Sequence, residues 1–450
     1  MDERTDGERG LRLATRGLYT LILRLMLPLA LLRLYWRSIK APAYRRRIGE
    51  RLALGGRAPR AGIWIHAVSV GEVQAAGLLI RQLLERFRDE GILVTTTTPT
   101  GAARLGELFG DGVAHRYMPY DLPGIVGRFL DQVRPRLLIV METEIWPNLL
   151  AACERRGIPV VLANARLSAR SARGYARVPE FTRETLRRFT LIAAQSQADA
   201  DRLIELGALG ERVRVTGSIK FDLRQPASQR DCAEAIRRLW GQRPVWVAAS
   251  THEGEEALLL QAHRRLLERL PQALLVLVPR HPERFDRVAA LVGRQGFGLV
   301  RRSHQDACNE ETSVFLGDTM GELPAFLAAG DVAFIGGSLV AVGGHNLLEA
   351  AAWGVPILVG PHTFNFAAIT EMMLEAGGAA RVADAEALAE RLGVWLTDAA
   401  LRAEVGAQGQ AVVERNRGAL ERLLAVIDEA LVNKAVSCQP PAASSLHADP

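Results

Sequence analysis

The sequence predicts an α/β protein of two doubly wound, parallel-sheet domains facing each other across a cleft. Three observations lead there. Short apolar runs alternate with amphipathic stretches from Gly62 onward, polar and turn residues interrupt the alternation near residues 225–229, and a second series of the same kind follows. Strand–helix alternation gives parallel strands with helices covering both faces. The chain of 450 residues, 48% hydrophobic and 24% charged, has the composition of an ordinary globular protein and the length of two or three domains.

Ahead of the first series stands "LYTLILRLMLPLALLRLYW", Leu18 to Trp36, nearly all apolar but carrying Arg24, Pro28 and Arg33. At about 1.5 Å per residue such a helix just reaches across a hydrocarbon core of roughly 30 Å. Arg24 makes a clean span costly. Tyr19, Tyr35 and Trp36 sit where interfacial aromatics sit, and Arg37, Lys40, Arg45, Arg46, Arg47 and Arg51 form a basic run suited to anionic headgroups. Arg24 and Arg33 interrupt the apolar stretch, which argues against an ordinary signal peptide. The expectation is a membrane anchor with the body on the cytoplasmic side; spanning and interfacial placements both stay open, as does a packing helix of a soluble domain. The expected organisation is an anchor with its basic flank at 1–40, a first domain at 41–225, a second at 226–432 and a disordered tail at 433–450.

In open parallel sheets, ligands gather beyond the carboxyl ends of the strands. In the first domain, "IWIHAVSVGE" places Glu72 there, on a helix opening, either as a general base or as a carboxylate stabilised by the helix dipole. "METEIWPN" adds Glu142 and Glu144, and "TGSIKF" adds Lys220, conspicuous because Lys40 and Lys434 are the only other lysines. In the second, "PRHPER" sets Arg280 and His281 after a strand, suited to a phosphate or carboxylate. "DTMGELP" and "GGHNLLEAAAWG" offer backbone N–H groups at helix openings, and Asn346 and Glu349 share a helical face. Each alone reads equally as a cap or a solvated charge; six such openings at strand ends argue for a site.

Several signatures are missing. No GxGxxG follows a strand, and there is no GxxxxGK[ST], no HExxH and no metal-ligand spacing of Cys and His. Cys153, Cys232, Cys308 and Cys438 lie far apart, as in a reducing compartment. "DAD" at Asp199–Asp201 falls at a helix start, where capping explains it. A formal charge of +6 suits a membrane surface or anionic substrate, and nothing resembles a nucleic-acid module.

The segments "HAVSVGE", "METEIWPN", "TGSIKFD", "PRHPERF", "GDTMGEL" and "GGHNLLEAAAWGVPILVGP" together resemble the 3-deoxy-D-manno-octulosonic acid (Kdo) transferases of Gram-negative bacteria, in the same order and from the N-terminal anchor to about residue 430. The resemblance implies a GT-B fold of two Rossmann-like domains, the first for the acceptor and the second for the donor. It implies inverting transfer of Kdo from CMP-Kdo to a lipid A precursor (lipid IVA) at the cytoplasmic face of the inner membrane, with no cofactor and no required metal. By the same resemblance Glu72 matches the general base, and Glu142 and Lys220 match groups assigned to transition-state stabilisation. Arg280, His281, Met320, Gly321, Glu322, Asn346, Leu347, Leu348 and Glu349 match the CMP-binding segments. A glycosyltransferase using a UDP-sugar is the strongest alternative; a nucleotide-sugar 2-epimerase and a membrane-attached binding protein are weaker ones.

Overall fold

The computed structural model describes residues 3–54, 56, 58–223 and 227–437. The chain divides into two compact units: one takes the chain to Asp222 and again from Gly418, the other takes Leu223–Arg417.

The first unit contains seven strands: β1 (Ile63–His66), β2 (Ile92–Thr96), β3 (Ala114–Tyr117), β4 (Leu137–Met141), β5 (Val160–Ala165), β6 (Leu191–Ala194) and β7 (Val213–Val215). They lie in the order β3-β2-β1-β4-β5-β6-β7, every neighbour parallel. The strands read as continuous apolar runs because both faces are covered. Trp64 and Leu138 point into one core with Phe129 and Leu150, while Ile63, Ile65 and Ile139 point into the other with Val73, Leu79 and Leu83. Each such side chain contributes about 1.5–3 kcal/mol on leaving water.

The second unit repeats the plan with β8 (Val245–Thr251), β9 (Leu274–Pro279), β10 (Gly298–Arg301), β11 (Thr312–Leu316), β12 (Val332–Ile335), β13 (Ile357–Val359) and β14 (Ala379–Arg381). Their order is β10-β11-β9-β8-β12-β13-β14, again all parallel. The crossovers reverse direction between β1 and β4 in the first sheet and between β8 and β12 in the second. These are the switch points where a crevice opens.

Three expectations about organisation need correction. The second unit ends at Arg417 and not at residue 432, because the last helix, Ala419–Ser437, buries Leu423, Leu424, Ile427 and Ala430 in the first unit's core. Asp222 receives the backbone N–H groups of Gly418 and Leu420 at the start of this helix, and Arg422 donates to Thr216 O at 2.8 Å. Within the expected tail, residues 433–437 complete that helix, and the remainder, 438–450, lies outside the described residues, as do 224–226 of the expected linker.

The third correction concerns the basic run. Arg51 is buried and lies 4.3 Å above the Tyr117 ring, and Arg47 binds Glu50 and the His115 carbonyl. Both belong to the fold and not to a headgroup surface.

The N-terminal helix, Glu3–Lys40, is docked on the first unit along one side. Tyr19 Oη donates to Asp121 at 3.0 Å, Thr20 and Asn148 bond side chain to side chain at 3.1–3.2 Å, and Leu23 and Leu27 pack on the core. The other side exposes Leu18, Ile22, Leu25, Met26, Leu29, Leu32 and Trp36, with Trp36 at 71%. Thr15–Ile39 is long and apolar enough to cross a membrane by length and composition.

The last helix gives a test of the unit boundary. Ile427→Ala should destabilise the first unit by about 2–4 kcal/mol, leaving the second unit's unfolding transition unmoved in calorimetry, while Val432→Ala at an exposed position of the same helix should be nearly silent. If Ile427→Ala lowers the second unit's transition instead, the assignment of this helix is wrong.

Candidate active site

At the switch point of the first sheet, the loops after β1 and β4 carry three carboxylates. Ser69 starts the helix Val70–Arg86, and Glu72 lies in its first turn. The carboxylate folds back on the helix opening, accepting the Val68 N–H at 2.9 Å and the Ser69 hydroxyl at 3.1 Å, an arrangement related to a capping box. A solvated cap of this kind keeps a low pKa. Here burial dominates and raises the Glu72 carboxyl to about 7; the Val68 N–H opposes it, and the nearby charges of Glu142 and Glu144 reinforce it. Glu144 is likewise raised, by burial first and then by the charge of Glu142.

Glu142 has a separate arrangement. It follows β4 in the left-handed region, φ 57°, while its N–H still bonds Ala163 O at 2.9 Å. Its Oε1 receives the Lys220 ammonium at 3.0 Å, with both side chains about three-quarters buried. Lys220 is held on the turn Ile219–Phe221, and Asn164 Oδ1 accepts the Ile219 N–H at 3.2 Å. Asn164, at φ 52° on β5, escaped sequence reasoning. Asparagine is tolerated in the left-handed region, but an asparagine inside an apolar strand was the one signal available.

The structure therefore brings Glu72, Glu142, Glu144 and Lys220 to one end of one sheet. The division between the two neighbouring glutamates is geometric: Glu142 pairs with the lysine, and burial raises the Glu144 carboxyl.

The second unit gathers its residues at the ends of β8, β9 and β12. Arg280 and His281 follow β9, with Arg280 N bonded to Thr251 O at 3.0 Å. Glu256, buried, binds Arg284 and the Thr251 hydroxyl and so ties the β9 loop to the end of β8. Glu255, fully buried, accepts N–H groups from Gly337 at 2.7 Å, Leu339 at 3.0 Å, Ser338 at 3.1 Å and His252 at 3.2 Å. One carboxylate thus fixes the loops on both sides of the switch point. His252 and His345 meet there, neither singled out by sequence reasoning.

Among the remaining expected residues, the side chains divide by role. Met320 is 63% exposed, and Gly321 has φ 85°. Glu322 is engaged by Arg302 in two directions and by the Thr319 hydroxyl, so this segment offers the Met320 side chain and backbone N–H groups more than a carboxylate. Leu347 and Leu348 are buried in the core. They set the start of the helix Leu348–Ala352 and present backbone only. Asn346 donates to Glu349 Oε1 at 3.0 Å and accepts the Leu348 N–H at 3.2 Å. Gly343 and Gly344 adopt φ 107° and 75°, and a Cβ at 343 would collide with Phe364 and Asn365.

Comparison with known proteins places this geometry. A family model described as 3-deoxy-D-manno-octulosonic-acid transferase (kdotransferase) matches residues 46–223, and one described as glycosyl transferases group 1 matches residues 242–412. The chain is 46% identical to the 3-deoxy-D-manno-octulosonic acid transferase of Haemophilus influenzae over 91% of its length and 97% of the relative's. It is 39% identical to that of Bordetella pertussis, over 92% and 99%. In fold it resembles the UDP-GlcNAc 2-epimerase of Neisseria meningitidis with a TM-score of 0.54, at 14% identity over 82% of this chain and 99% of that one. Both sheets, the group 1 domain and such neighbours establish the GT-B architecture.

The raised acidity of Glu72 has a measurable sign. An acid whose folded pKa, about 7, exceeds its ordinary value of 4.5 is tolerated better protonated, so its contribution to stability falls as pH rises from 4.5 through 7. Relative to Glu72→Gln, the wild-type melting temperature should therefore decline between about pH 5 and pH 7.5 and run parallel above it. Parallel curves throughout would mean that Glu72 titrates normally.

Proposed function

The chain belongs to the 3-deoxy-D-manno-octulosonic acid (Kdo) transferase family, and we propose that it transfers Kdo from CMP-Kdo to the lipid A precursor lipid IVA, inverting the anomeric carbon. The observation that carries the mechanism is Glu72, a carboxyl raised to about 7 at the switch point of the first sheet. A general base works best with a pKa near the working pH, ionised enough to accept a proton and basic enough to hold it.

In this reading an acceptor hydroxyl gives its proton to Glu72. Its oxygen attacks the anomeric carbon of Kdo from the face opposite the phosphate, and the carbon–oxygen bond to CMP breaks with its electrons on the phosphate. The donor carries a phosphodiester and a carboxylate. Arg280 supplies positive charge for them, His281 offers a ring nitrogen, and the backbone N–H groups at Met320–Gly321 add dipoles. Asn346 and Glu349 suit ribose hydroxyls, and exposed Met320 gives the cytosine ring a soft apolar surface. Lys220, steadied by Glu142, is available for the charge that develops during transfer.

Purified protein given CMP-Kdo and the tetra-acylated precursor should yield, by mass spectrometry, a lipid heavier by one or more Kdo units. Glu72→Gln should lower turnover at saturating substrates by about 10²–10⁴; wild-type turnover in that variant removes Glu72 as base. A lipid left unmodified by CMP-Kdo but gaining mass from a UDP-sugar would move the donor to the alternative reading.

The same proposal places the protein on the cytoplasmic face of the inner membrane, with the N-terminal helix lying in the interface. One side of that helix is committed to Asp121, Asn148 and the core, while Arg24 and Arg33 lie exposed beside its apolar side. A bilayer core tolerates neither the docked domain nor a central arginine, whereas an interface accepts both. Leu25→Glu with Leu29→Glu should cut flotation with anionic vesicles at least about tenfold. A protease site placed ahead of residue 3 should be cut from the side of the body; protection of that site would establish a span.

A further inference from the structure

The loops after β8 and β12 place two imidazoles together across the switch point of the second sheet. His252 Nε2 and His345 Nε2 are 2.7 Å apart, and the rings lie nearly parallel, 7° between planes with centroids 4.9 Å apart. His281, from the loop after β9, stands edge-on to His252 at 5.6 Å. Two ring nitrogens at this separation require one proton between them, so one ring donates and the other accepts. The pair is also built into the fold. Glu255 binds the His252 N–H and the three successive N–H groups that begin the β12 loop. Gly337 leaves space for both rings, since a Cβ there would stand 3.3 Å from each.

The charges around the pair are unbalanced. Burial is the largest cause lowering the pKa of both, bringing His345 to about 4. His281 and Arg280 lower both further, and Arg284 also lowers His252. The one carboxylate acting in the opposite direction on His252 is Glu256, already bound to Arg284 and Thr251. Glu255 is spent on backbone donors. The arrangement thus lacks one negative charge, and an anion brought between these loops would supply it.

We propose that His252 and His345 form a proton-accepting anion clamp in the donor site, taking up one proton from solvent when an anionic oxygen of the donor settles beside them. This deepens the donor reading above and rests on it. The protonated pair keeps the N–H···N bond and gains a positive charge for the anion. No bond of the donor breaks in the step, and the proton returns to solvent when CMP leaves. Phosphate and carboxylate oxygens have the chemistry the clamp needs.

Isothermal titration of the full chain, in buffers of different protonation enthalpy, counts the protons. With CMP and then with CMP-Kdo at pH 7.5, about one proton should be taken up per ligand bound, and affinity should fall about tenfold per pH unit on the alkaline side. Uptake with CMP alone assigns the phosphate; uptake with CMP-Kdo alone assigns the sugar carboxylate; either supports the clamp. H252Q and H345Q should each abolish uptake and flatten the pH dependence, whereas H281Q should retain it. Binding without proton uptake in the wild type, a measurement that needs no variant, overturns the clamp, as does uptake persisting in both H252Q and H345Q. Failure of either ligand to bind would instead overturn the donor reading and the clamp with it.

Discussion

A parallel strand covered by helices on both faces has no solvent-facing side, so a polar side chain on it must find a buried partner, and this constraint sets the layout of each unit. Ile63, Trp64 and Ile65 of β1 and Val245, Trp246 and Val247 of β8 are fully buried. Chemistry is left to the strand ends, above all where the crossover direction reverses and two loops part. The two units use that place in opposite ways. The first collects Glu72, Glu142 and Glu144 there, with one lysine. The second collects His252, His281, His345 and Arg280, with its carboxylates committed elsewhere. An acidic site suits the removal of a proton, and a basic one suits the holding of a phosphate.

Tight exits from the strands carry a conformational cost. Glu142, Asn164 and Ser250, at φ 57°, 52° and 59°, occupy the left-handed region without being glycine. Each costs about 1–2 kcal/mol. Such residues persist where surrounding bonds over-determine them. The Glu142 N–H stays on the sheet ladder through Ala163, and Asn164 is held through the Ile219 N–H and Gln195. Across from Ser250 the close approach demands glycine, because a Cβ at Gly336 would come within 2.6 Å of the Ser250 carbonyl.

Much of this was legible in the sequence. The alternation of apolar runs and helices gave both sheets, and six motifs at strand ends gave the family, which the relatives bear out. What escaped was whatever depends on partners distant in sequence. Glu255 reads as an ordinary charge in a helix's first turn until Gly337, Ser338 and Leu339 are brought to it. His252 gains meaning only from His345, and Asn164 only from Ile219. Motif membership also blurred side-chain roles: within "NLLE" the leucines are core, and in "MGE" the glutamate is paired with Arg302. The last helix followed the second domain in sequence but joins the first, because its apolar face, not its place in the chain, decides where it packs.

The acidity of Glu72 is a property of the group and not of the residue alone. Burial raises its pKa, and the charges of Glu142 and Glu144 raise it further. Glu142, one source of that charge, is itself held by the Lys220 ammonium at 3.0 Å. The lysine thus fixes where the Glu142 carboxylate stands. Asn164 fixes the turn that bears Lys220 from one strand further along. Loss of the charge at Glu142 or Glu144 would lower the proton affinity of Glu72, so its acidity depends on how these carboxylates are spaced.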